Sequence, residues 1–222
     1  MFRNRADAGR RLARALIGTK DQHPIVLALP RGGVPVAAEV ARALDAPLDL
    51  ILVRKIGVPF HPELAMGAVV DGSAPLVVRN EEIIKLGRIS HADFVAVRDH
   101  EVAEIKRQRM RYVGERSHLD LQGGTVIVVD DGIATGASTR AALRAVRRQK
   151  PRRLILAVPV APTAALEELR EEADEIVCLE DHQPFEAVGA YYADFGQTSD
   201  EEVTALLAAS PAEPRAAPAG TP

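Results

Sequence analysis

The chain lacks the features that would place it in several special classes of protein. It has a single cysteine, Cys178, so no disulfide can form within it, and this suits a reducing cytoplasm. No apolar run approaches the ~20 residues that a membrane-spanning helix needs, and we expect no membrane partner. The formal net charge is -3, so no overall positive field favours nucleic acid as a partner.

Two common kinds of binding motif are also missing. Around residues 126–139, neither the Gly-Lys-Ser/Thr of a P-loop nor the Gly-x-Gly-x-x-Gly of a dinucleotide site occurs. The separate histidines His23, His61 and His182 lack the spacing of metal ligands, and we expect them on the surface or in loops. The sequence also shows no internal repeat.

Four apolar runs define the expected fold. They are rich in Val, Ile and Leu without polar alternation, which is typical of strands buried on both faces of a parallel sheet. Helix-spaced apolar residues follow three of them. The pattern predicts one α/β domain over residues 1–209, built on a doubly wound, mainly parallel sheet. The runs are Ile25–Leu29, Leu48–Val53, Val126–Val129 and Leu154–Val158.

The stretch from about 60 to 122 breaks this order and predicts an insertion. Met66–Val70 and Leu76–Val78 are expected to be short strands joined by a turn at 71–73. His91–Tyr112 is expected to be a long charged helix with a basic end, which suits the negative pole of the helix dipole. We expect that end to be solvated, because the interleaved aromatics of a nucleic-acid site are missing. Its basic residues are Lys106, Arg107, Arg109 and Arg111.

The two ends of the sequence differ in composition. Residues 5–17 predict an amphipathic helix. Their arginines also suit a transit peptide, but Asp7 and the lack of an apolar core favour the helix. Residues 210–222 contain four prolines and predict a disordered tail. The residues expected to face inward on the N-terminal helix are Ala8, Leu12, Ala15 and Leu16.

Residues 126–139 carry the strongest functional signal. The apolar run Val126–Val129 is followed by Asp130 and Asp131, and then by glycines and hydroxyl side chains where a helix begins. A phosphate dianion is bound well by the free N–H groups and dipole of a helix N-terminus, and carboxylates accept hydrogen bonds from the two hydroxyls of a ribose. A helix cap alone would need only one acid. The segment therefore predicts a cradle for a sugar phosphate.

This order of residues, Asp-Asp, two residues, Ala-Thr-Gly, a small residue and Ser, resembles the motif with which type I phosphoribosyltransferases bind 5-phosphoribosyl 1-pyrophosphate (PRPP). The resemblance implies that Asp130 and Asp131 hold the ribose 2′ and 3′ hydroxyls. In the hypoxanthine-guanine branch an acid precedes Thr-Gly; the alanine found here argues against that branch. Pro62–Ala68, taken with Arg54-Lys55, resembles a subgroup of phosphoribosyltransferase-domain proteins, and that likeness runs from the N-terminal helix to about Leu207. The residues implied to wrap the 5-phosphate are Ala134, Thr135, Gly136, Ala137 and Ser138.

A second candidate loop, Leu29–Gly33, follows the first apolar run and precedes a helix. Its glycines, Gly32 and Gly33, would let backbone N–H groups approach a phosphate, and Arg31 offers a planar fork of donors. Together with the downstream acids, it resembles the family's pyrophosphate loop, which often holds a strained or cis peptide. A plain tight turn is the alternative interpretation.

Arg54 and Lys55 follow the second apolar run, and we expect them at the same edge of the sheet as Arg31 and Asp130. Cations there would offset the charge that grows on a departing pyrophosphate. Arg31 and Lys55 are therefore the candidate catalytic residues, and Arg54 is a candidate for binding PRPP. Two solvated charges are the alternative, and Glu63 in the next segment is either catalytic or structural.

The C-terminal region concentrates the aromatic side chains, with four of the eight in the chain. In type I enzymes a C-terminal hood covers the acceptor base. Flat side chains in a hood at about 180–197 would stack on a planar ring. A hydrophobic plug closing the sheet edge is the alternative. The four residues are Phe185, Tyr191, Tyr192 and Phe195.

The resemblance implies a phosphoribosyltransferase of nucleotide metabolism that moves ribose 5-phosphate from PRPP to a nitrogenous base and releases pyrophosphate. Mg²⁺ is the expected cofactor, bound mainly through PRPP oxygens. The expected partners are PRPP and a small heterocyclic base, and a homodimer is left open. Because no residue stands out as a general base, a PRPP- or nucleotide-binding regulator on the same fold is the alternative. A fragment that depends on a fused or partner enzyme is a third hypothesis.

Overall fold

The fold alternates strands and helices over residues 1–72 and 75–211, which the computed structural model describes. In chain order, the strands are β1 (Ile25–Ala28), β2 (Leu48–Leu50), β3 (Val53–Val58), β4 (His61–Val70), β5 (Leu76–Arg79), β6 (Thr125–Val129), β7 (Arg153–Pro162) and β8 (Glu175–His182). The α-helices are α1 (Arg5–Leu16), α2 (Gly33–Leu44), α3 (Glu81–Leu86), α4 (His91–Val113), α5 (Ala137–Arg148), α6 (Thr163–Leu169) and α7 (Asp200–Ala208). Short 3-10 helices form at Ile17–Gln22 and Val188–Tyr191.

The main sheet has five strands in the order β2-β1-β6-β7-β8, and every neighbouring pair is parallel. All residues of β1, β2 and β6 are buried, as expected for strands covered on both faces. The direction of winding reverses between β1 and β6. The prediction of a doubly wound parallel sheet is therefore confirmed.

Alternate side chains of the sheet enter two separate cores. On β6, Ile127 and Val129 pack in the core that contains residues of α1 and α2. Val126 and Val128 point the other way, into the core formed with α5 and α6. This alternation follows from the period of two in a strand and explains why the runs are continuously apolar.

A smaller antiparallel sheet, in the order β3-β4-β5, forms the insertion. The expected strand Leu48–Val53 is wrong, because β2 ends at Leu50 and Val53 begins a strand of this second sheet. Ile51 and Leu52 are both buried but enter different cores, so the chain changes sheets without any polar interruption. The expected turn at 71–73 lies partly outside the described residues.

The long helix α4 begins at an N-cap, Ser90, whose side chain accepts from Asp93 N, and it matches the predicted helix closely. The expectation that its basic end is solvated is wrong for Arg109, which is 7% exposed. Arg109 Nη2 lies 3.0 Å from Asp49 Oδ2, and its Nη1 lies 3.1 Å from Asp71 Oδ2. This buried ion-pair cluster fastens the insertion to β2 of the main sheet.

The predicted N-terminal helix is confirmed as α1, with the inner face shifted slightly from the expected one. Ala8, Leu12 and Leu16 are buried, whereas Ala15 is exposed and Ala13 is buried in its place. At the other end, Leu48 N donates to Pro211 O at 3.2 Å, and the rest of the predicted tail lies outside the described residues. In the part of the chain that the structure describes, no helix is long and apolar enough to cross a membrane.

Candidate functional site

Two loops meet at the carboxyl edge of the main sheet, between β1 and β6. The Arg31 loop (Leu29–Gly33) leads from β1 into α2, and the acid loop (Asp130–Gly136) leads from β6 into α5. Leu29 N donates to Val129 O at 2.9 Å, which holds the two loops side by side. Ligands of open α/β sheets bind at the point where the winding reverses. The structure thus brings together the two loops that the sequence singled out.

The glycines of the Arg31 loop leave no room for a side chain beside the acid loop. A Cβ on Gly32 would lie 2.0 Å from Asp131 Oδ2. A Cβ on Gly33 would lie 2.9 Å from Val129 O and 3.0 Å from Asp130 Cα. These separations are much shorter than van der Waals contact, so only glycine lets the two loops pack this closely.

The Arg31 loop carries a cis peptide between Pro30 and Arg31, a feature that the resemblance to the pyrophosphate loop implies. The Arg31 side chain is 41% exposed, and its Nη1 lies 3.6 Å from Asp200 Oδ1 at the start of α7. At this length and exposure the ion pair is weak. The guanidinium is therefore available to an anionic ligand.

The acid pair Asp130 and Asp131 lies half-buried at the end of β6. Asp131 N donates to Asp130 Oδ1 at 2.8 Å, and Asp131 Oδ2 accepts from Arg5 Nε at 2.7 Å. Burial raises the pKa of Asp130 well above its ordinary value, and the neighbouring charge of Asp131 raises it further. The pair offers carboxylate acceptors of the kind that sugar hydroxyls need.

The second half of the acid loop turns into the N-terminus of α5. Gly136 has φ +74°, and its backbone conformation is the left-handed one that favours glycine. The first N–H groups of α5 have no partners within the helix and lie at the positive end of its dipole. This geometry can bind a phosphate dianion. The predicted phosphate residues Ala134, Thr135, Ala137 and Ser138 are all exposed here, and Gly136 is buried between them.

Arg54 and Lys55 do not directly follow a strand of the main sheet, and their expected position at its carboxyl edge stays a prediction. They lie within β3 of the antiparallel sheet because β2 ends early. Arg54 is paired with Glu101 of α4, and Lys55 Nζ lies 3.4 Å from Glu63 Oε2. The predicted roles of these two cations in the reaction stay predictions.

The aromatic residues of the hood lie directly behind the acid loop. Tyr192 is buried, and its hydroxyl donates to Asp131 O at 2.5 Å. Tyr191 stacks on His182 and Phe185, with ring centroids 4.4 and 5.1 Å apart. Tyr191 and Phe185 are half-exposed. Tyr192 thus fills the role of a plug, while the stacked rings keep a surface that a planar ligand could contact.

Sequence reasoning missed the N-terminal segment as part of the site. Phe2 N donates to Tyr191 O and Ala193 N donates to Phe2 O, each at 2.8 Å, so this segment pairs with the hood. Arg5 follows three residues later and reaches Asp131. No spacing in the sequence links Arg5 to Asp131. The one signal that could have suggested a packed N-terminus is the aromatic side chain of Phe2, just before the helix.

The described residues provide no ready cage for a metal ion. Across residues 1–72 and 75–211, no group of three or more His, Cys, Asp or Glu side chains is placed to hold one.

Known proteins resemble this chain over most of its length. The family model for the phosphoribosyl transferase domain matches residues 2–194. Proteins of two Mycobacterium tuberculosis strains, each named "Putative phosphoribosyl transferase", are 44% identical over 207 residues, which is 93% of this chain and 46% of theirs. The chain thus spans about half the length of these curated relatives.

One solved structure is similar to this chain in both fold and sequence. The crystal structure of TT1426 from Thermus thermophilus has a TM-score of 0.79 and 44% identity, and the match covers 93% of this chain and 97% of that one. The chain belongs to the phosphoribosyl transferase domain family.

Proposed function

We propose that this protein is a phosphoribosyltransferase that transfers ribose 5-phosphate from PRPP to a nitrogenous base and releases pyrophosphate. The observation that carries the proposal is the close packing of the Arg31 loop against the acid loop. One loop offers a guanidinium and glycines, and the other offers two carboxylates followed by a helix N-terminus. PRPP carries the complementary groups in the same order: pyrophosphate, two ribose hydroxyls and a 5-phosphate.

Each part of PRPP is assigned to one part of this edge. The 5-phosphate binds the first turn of α5, where Thr135 and Ser138 are exposed beside free N–H groups. The ribose hydroxyls donate to Asp130 and Asp131. The pyrophosphate binds the Arg31 loop, whose glycines allow the backbone to approach it closely.

The proposed reaction separates charge, and the two loops carry side chains of opposite sign that can stabilise the positive and the negative charge. As the base nitrogen attacks the anomeric carbon and the bond to pyrophosphate breaks, positive charge grows on the ribose and negative charge on the leaving group. Asp131 stabilises the first and Arg31 the second. Lys55 and Arg54 would contribute after their ion pairs with Glu63 and Glu101 open.

Mg²⁺ is proposed as the cofactor, held mainly by PRPP oxygens and water rather than by a protein cage. This fits the described residues, which hold no cluster of three metal-binding side chains. When bound, the ion neutralises charge on the pyrophosphate. The chain's own part is to hold the PRPP that carries the metal, through the Arg31 loop and the acid loop.

A planar heterocycle is the proposed acceptor class. The half-exposed stack of His182, Tyr191 and Phe185 supports this proposal, because aromatic faces favour offset contact with another flat ring. Ala134 is exposed in the acid loop and has no polar group to offer the ring. We therefore place selection of the acceptor in the hood rather than in the acid loop. A cytoplasmic location and a homodimer stay predictions.

The proposal is tested by measuring pyrophosphate release from PRPP with Mg²⁺ and a panel of purines, pyrimidines and nicotinate-like acceptors. We expect turnover with at least one acceptor, and loss of that turnover in Asp131→Asn. Tight PRPP binding with no turnover for any acceptor would instead support a regulatory protein on the same fold. Absence of PRPP binding by the wild type would defeat both functions.

A further inference from the structure

Arg5, the first residue of α1, is connected to three parts of the site at once. Its Nε donates to Asp131 Oδ2 at 2.7 Å, and its Nη1 donates to Gly196 O at 2.6 Å. The guanidinium carbon lies 3.9 Å from the centroid of the Phe195 ring. The Arg5 and Asp131 side chains are only 13% and 14% exposed. One guanidinium thus joins the N-terminal helix, the acid loop and the hood.

Other arginines of this region have different surroundings. The Arg3 side chain is 83% exposed beside Asp7, and the Arg10 side chain is 48% exposed beside Glu39. Pairs at such exposure contribute little because water and salt screen them. The Arg5 pair is better shielded from water, so its attraction to Asp131 is screened less. Arg10 therefore provides a matched control on the same helix.

The acid pair needs a positive neighbour. Two adjacent carboxylates repel each other, and burial together with Asp131 raises the pKa of Asp130. The Arg5 guanidinium acts in the opposite direction on that pKa. On the hood side, the Tyr192 hydroxyl donates to Asp131 O. The negative charge of Glu180 on β8 is among the causes that raise the pKa of Tyr192. Arg5 thus supplies the positive charge next to the acid pair.

The contact also fixes the direction of the Asp131 carboxylate. Oδ2 is held between Arg5 and the backbone of Gly32. A carboxylate has two oxygens, and a ligand hydroxyl would donate to Oδ1. Without the guanidinium, the side chain is free to rotate, and a ribose hydroxyl would then meet its acceptor less often.

We propose that Arg5 is a positioning residue for the sugar half of the ligand site, which orients the Asp131 carboxylate and ties it to Phe195 and Gly196. This inference rests on the proposed function, since it assigns the ribose of PRPP to Asp131. It predicts that Arg5 matters for ligands that contain ribose and has no effect on pyrophosphate alone.

The test measures binding of PRPP, ribose 5-phosphate and pyrophosphate by calorimetry to the full chain. Arg5→Gln is expected to weaken PRPP and ribose 5-phosphate binding about tenfold, the usual size of coupling between contacting groups, and to leave pyrophosphate binding unchanged. Arg5→Lys keeps the charge but loses the planar fork, so it should recover part of the loss. Arg10→Gln should bind all three ligands as the wild type does.

A double-mutant cycle and a pH series separate positioning from a merely structural role. Arg5→Gln should cost much less in the Asp131→Asn background, because the oriented carboxylate is already gone. The affinity of Arg5→Gln for ribose 5-phosphate, divided by that of the wild type, should fall as the pH is lowered, since Asp130 then lacks the guanidinium that opposes the rise of its pKa. Taking the ratio of the two affinities removes the effect of protonation of the ligand's phosphate, which is the same for both proteins.

The outcomes distinguish this inference from the proposed function. If the wild type binds PRPP and Arg5→Gln binds ribose 5-phosphate equally well at every pH, Arg5 has no positioning role and the proposed function stands. A loss that includes pyrophosphate, with additive effects of Arg5→Gln and Asp131→Asn, would also overturn the inference in favour of general loosening. If the wild type binds neither PRPP nor ribose 5-phosphate, the proposed function fails, and this inference fails with it.

Discussion

Gly32 lies so close to Asp131 that a Cβ on the glycine would be 2.0 Å from the carboxylate oxygen Oδ2. The two residues are almost a hundred positions apart in the chain, and they belong to the two loops assigned to opposite ends of PRPP. Because Gly32 and Asp131 are in contact, the packing of the pyrophosphate end of the proposed site depends on the packing of its ribose end. A side chain added at Gly32 should therefore disturb both ends.

Gly32→Ala tests this constraint. The new methyl group has to displace the Asp131 side chain, which also breaks its 2.7 Å contact with Arg5. We expect PRPP to bind at least about tenfold more weakly, as for contacts with coupled energies, with the melting temperature lowered by only a few degrees. Calorimetry and thermal unfolding measure the two effects.

Gly18→Ala is the matched control for that variant. Nothing lies within 4 Å of a Cβ at Gly18, in the first 3-10 helix. It should bind PRPP as the wild type does. Equal PRPP affinity in Gly32→Ala and Gly18→Ala would mean that Asp131 can move aside without harm to the site.

The sequence predicted the acid loop well because all of its parts are contiguous. A buried strand, two acids, a turn glycine and a helix start follow one another within fifteen residues, and each has its own local signature. The Arg31 loop was predicted in the same way. That the two loops meet followed from the parallel order of the strands, since the carboxyl ends of such strands share one edge.

Features that depend on contacts between distant residues were not predictable. The run Leu48–Val53 is apolar throughout except for Asp49, so nothing in it marks the change of sheet after Leu50. Arg109 lies on the same face of α4 as the buried Ile105 and Tyr112, but nothing in the sequence shows that two carboxylates from other parts of the chain pair with it there. Arg5 is likewise an ordinary helix-start residue until the fold brings Asp131 beside it.

Replacing Arg109 should be far more destabilising than replacing other arginines of α4. Arg109→Met leaves Asp49 and Asp71 buried without the guanidinium, and breaking such a buried pair typically costs about 3–5 kcal/mol. We expect a matching loss in the free energy of unfolding, measured by urea denaturation. Arg107→Met, whose side chain is 67% exposed beside Glu104, should change it by less than about 0.5 kcal/mol.

The cause of that loss can be separated from lost packing. Adding Asp49→Asn and Asp71→Asn to Arg109→Met removes the unpaired charges and should recover part of the stability. If the triple variant were less stable than Arg109→Met alone, the cost would lie in packing or hydrogen bonds rather than in stranded carboxylates.

Cys178, on β8, should be a poorly reactive thiol. Burial raises the pKa of Cys178 to about 11, and its Sγ donates to Glu180 O at 3.3 Å. Because the thiolate is the nucleophile, alkylation by iodoacetamide at pH 8 should be on the order of a hundredfold slower than in the same chain unfolded in urea. Similar rates in both states would show that the thiol is open to solvent.

The same shift predicts how stability changes in alkaline solution. The folded state keeps the Cys178 proton up to a higher pH than the unfolded state, so between the unfolded pKa and about 11 it binds more protons. The free energy of unfolding should therefore fall as the pH rises through that window. In Cys178→Ser, the free energy of unfolding should depend less steeply on pH in this window. Identical slopes in the two proteins would show that Cys178 is not the cause of the decrease.

Asp130→Asn should separate stability from binding. Burial and the charge of Asp131 raise the pKa of Asp130, so the fold disfavours the charged form of this side chain. An asparagine keeps the oxygen that accepts from Asp131 N at 2.8 Å. We expect Asp130→Asn to melt at a higher temperature than the wild type at pH 7.5, by about 2–4 °C for each kcal/mol gained, while it binds PRPP more weakly.

The advantage of Asp130→Asn should depend on pH in a definite direction. As the pH falls through the raised folded-state pKa towards the ordinary value near 4, wild-type Asp130 takes up its proton and the penalty disappears. The difference in melting temperature should therefore be large at pH 7.5 and small at pH 4.5. Asp131→Asn is the control, since it loses the contact with Arg5 and should melt lower at pH 7.5. An Asp130→Asn variant that melts below the wild type at pH 7.5 would contradict this. It would show that the charge of Asp130 stabilises the fold, so that keeping it for ligand binding has no cost in stability.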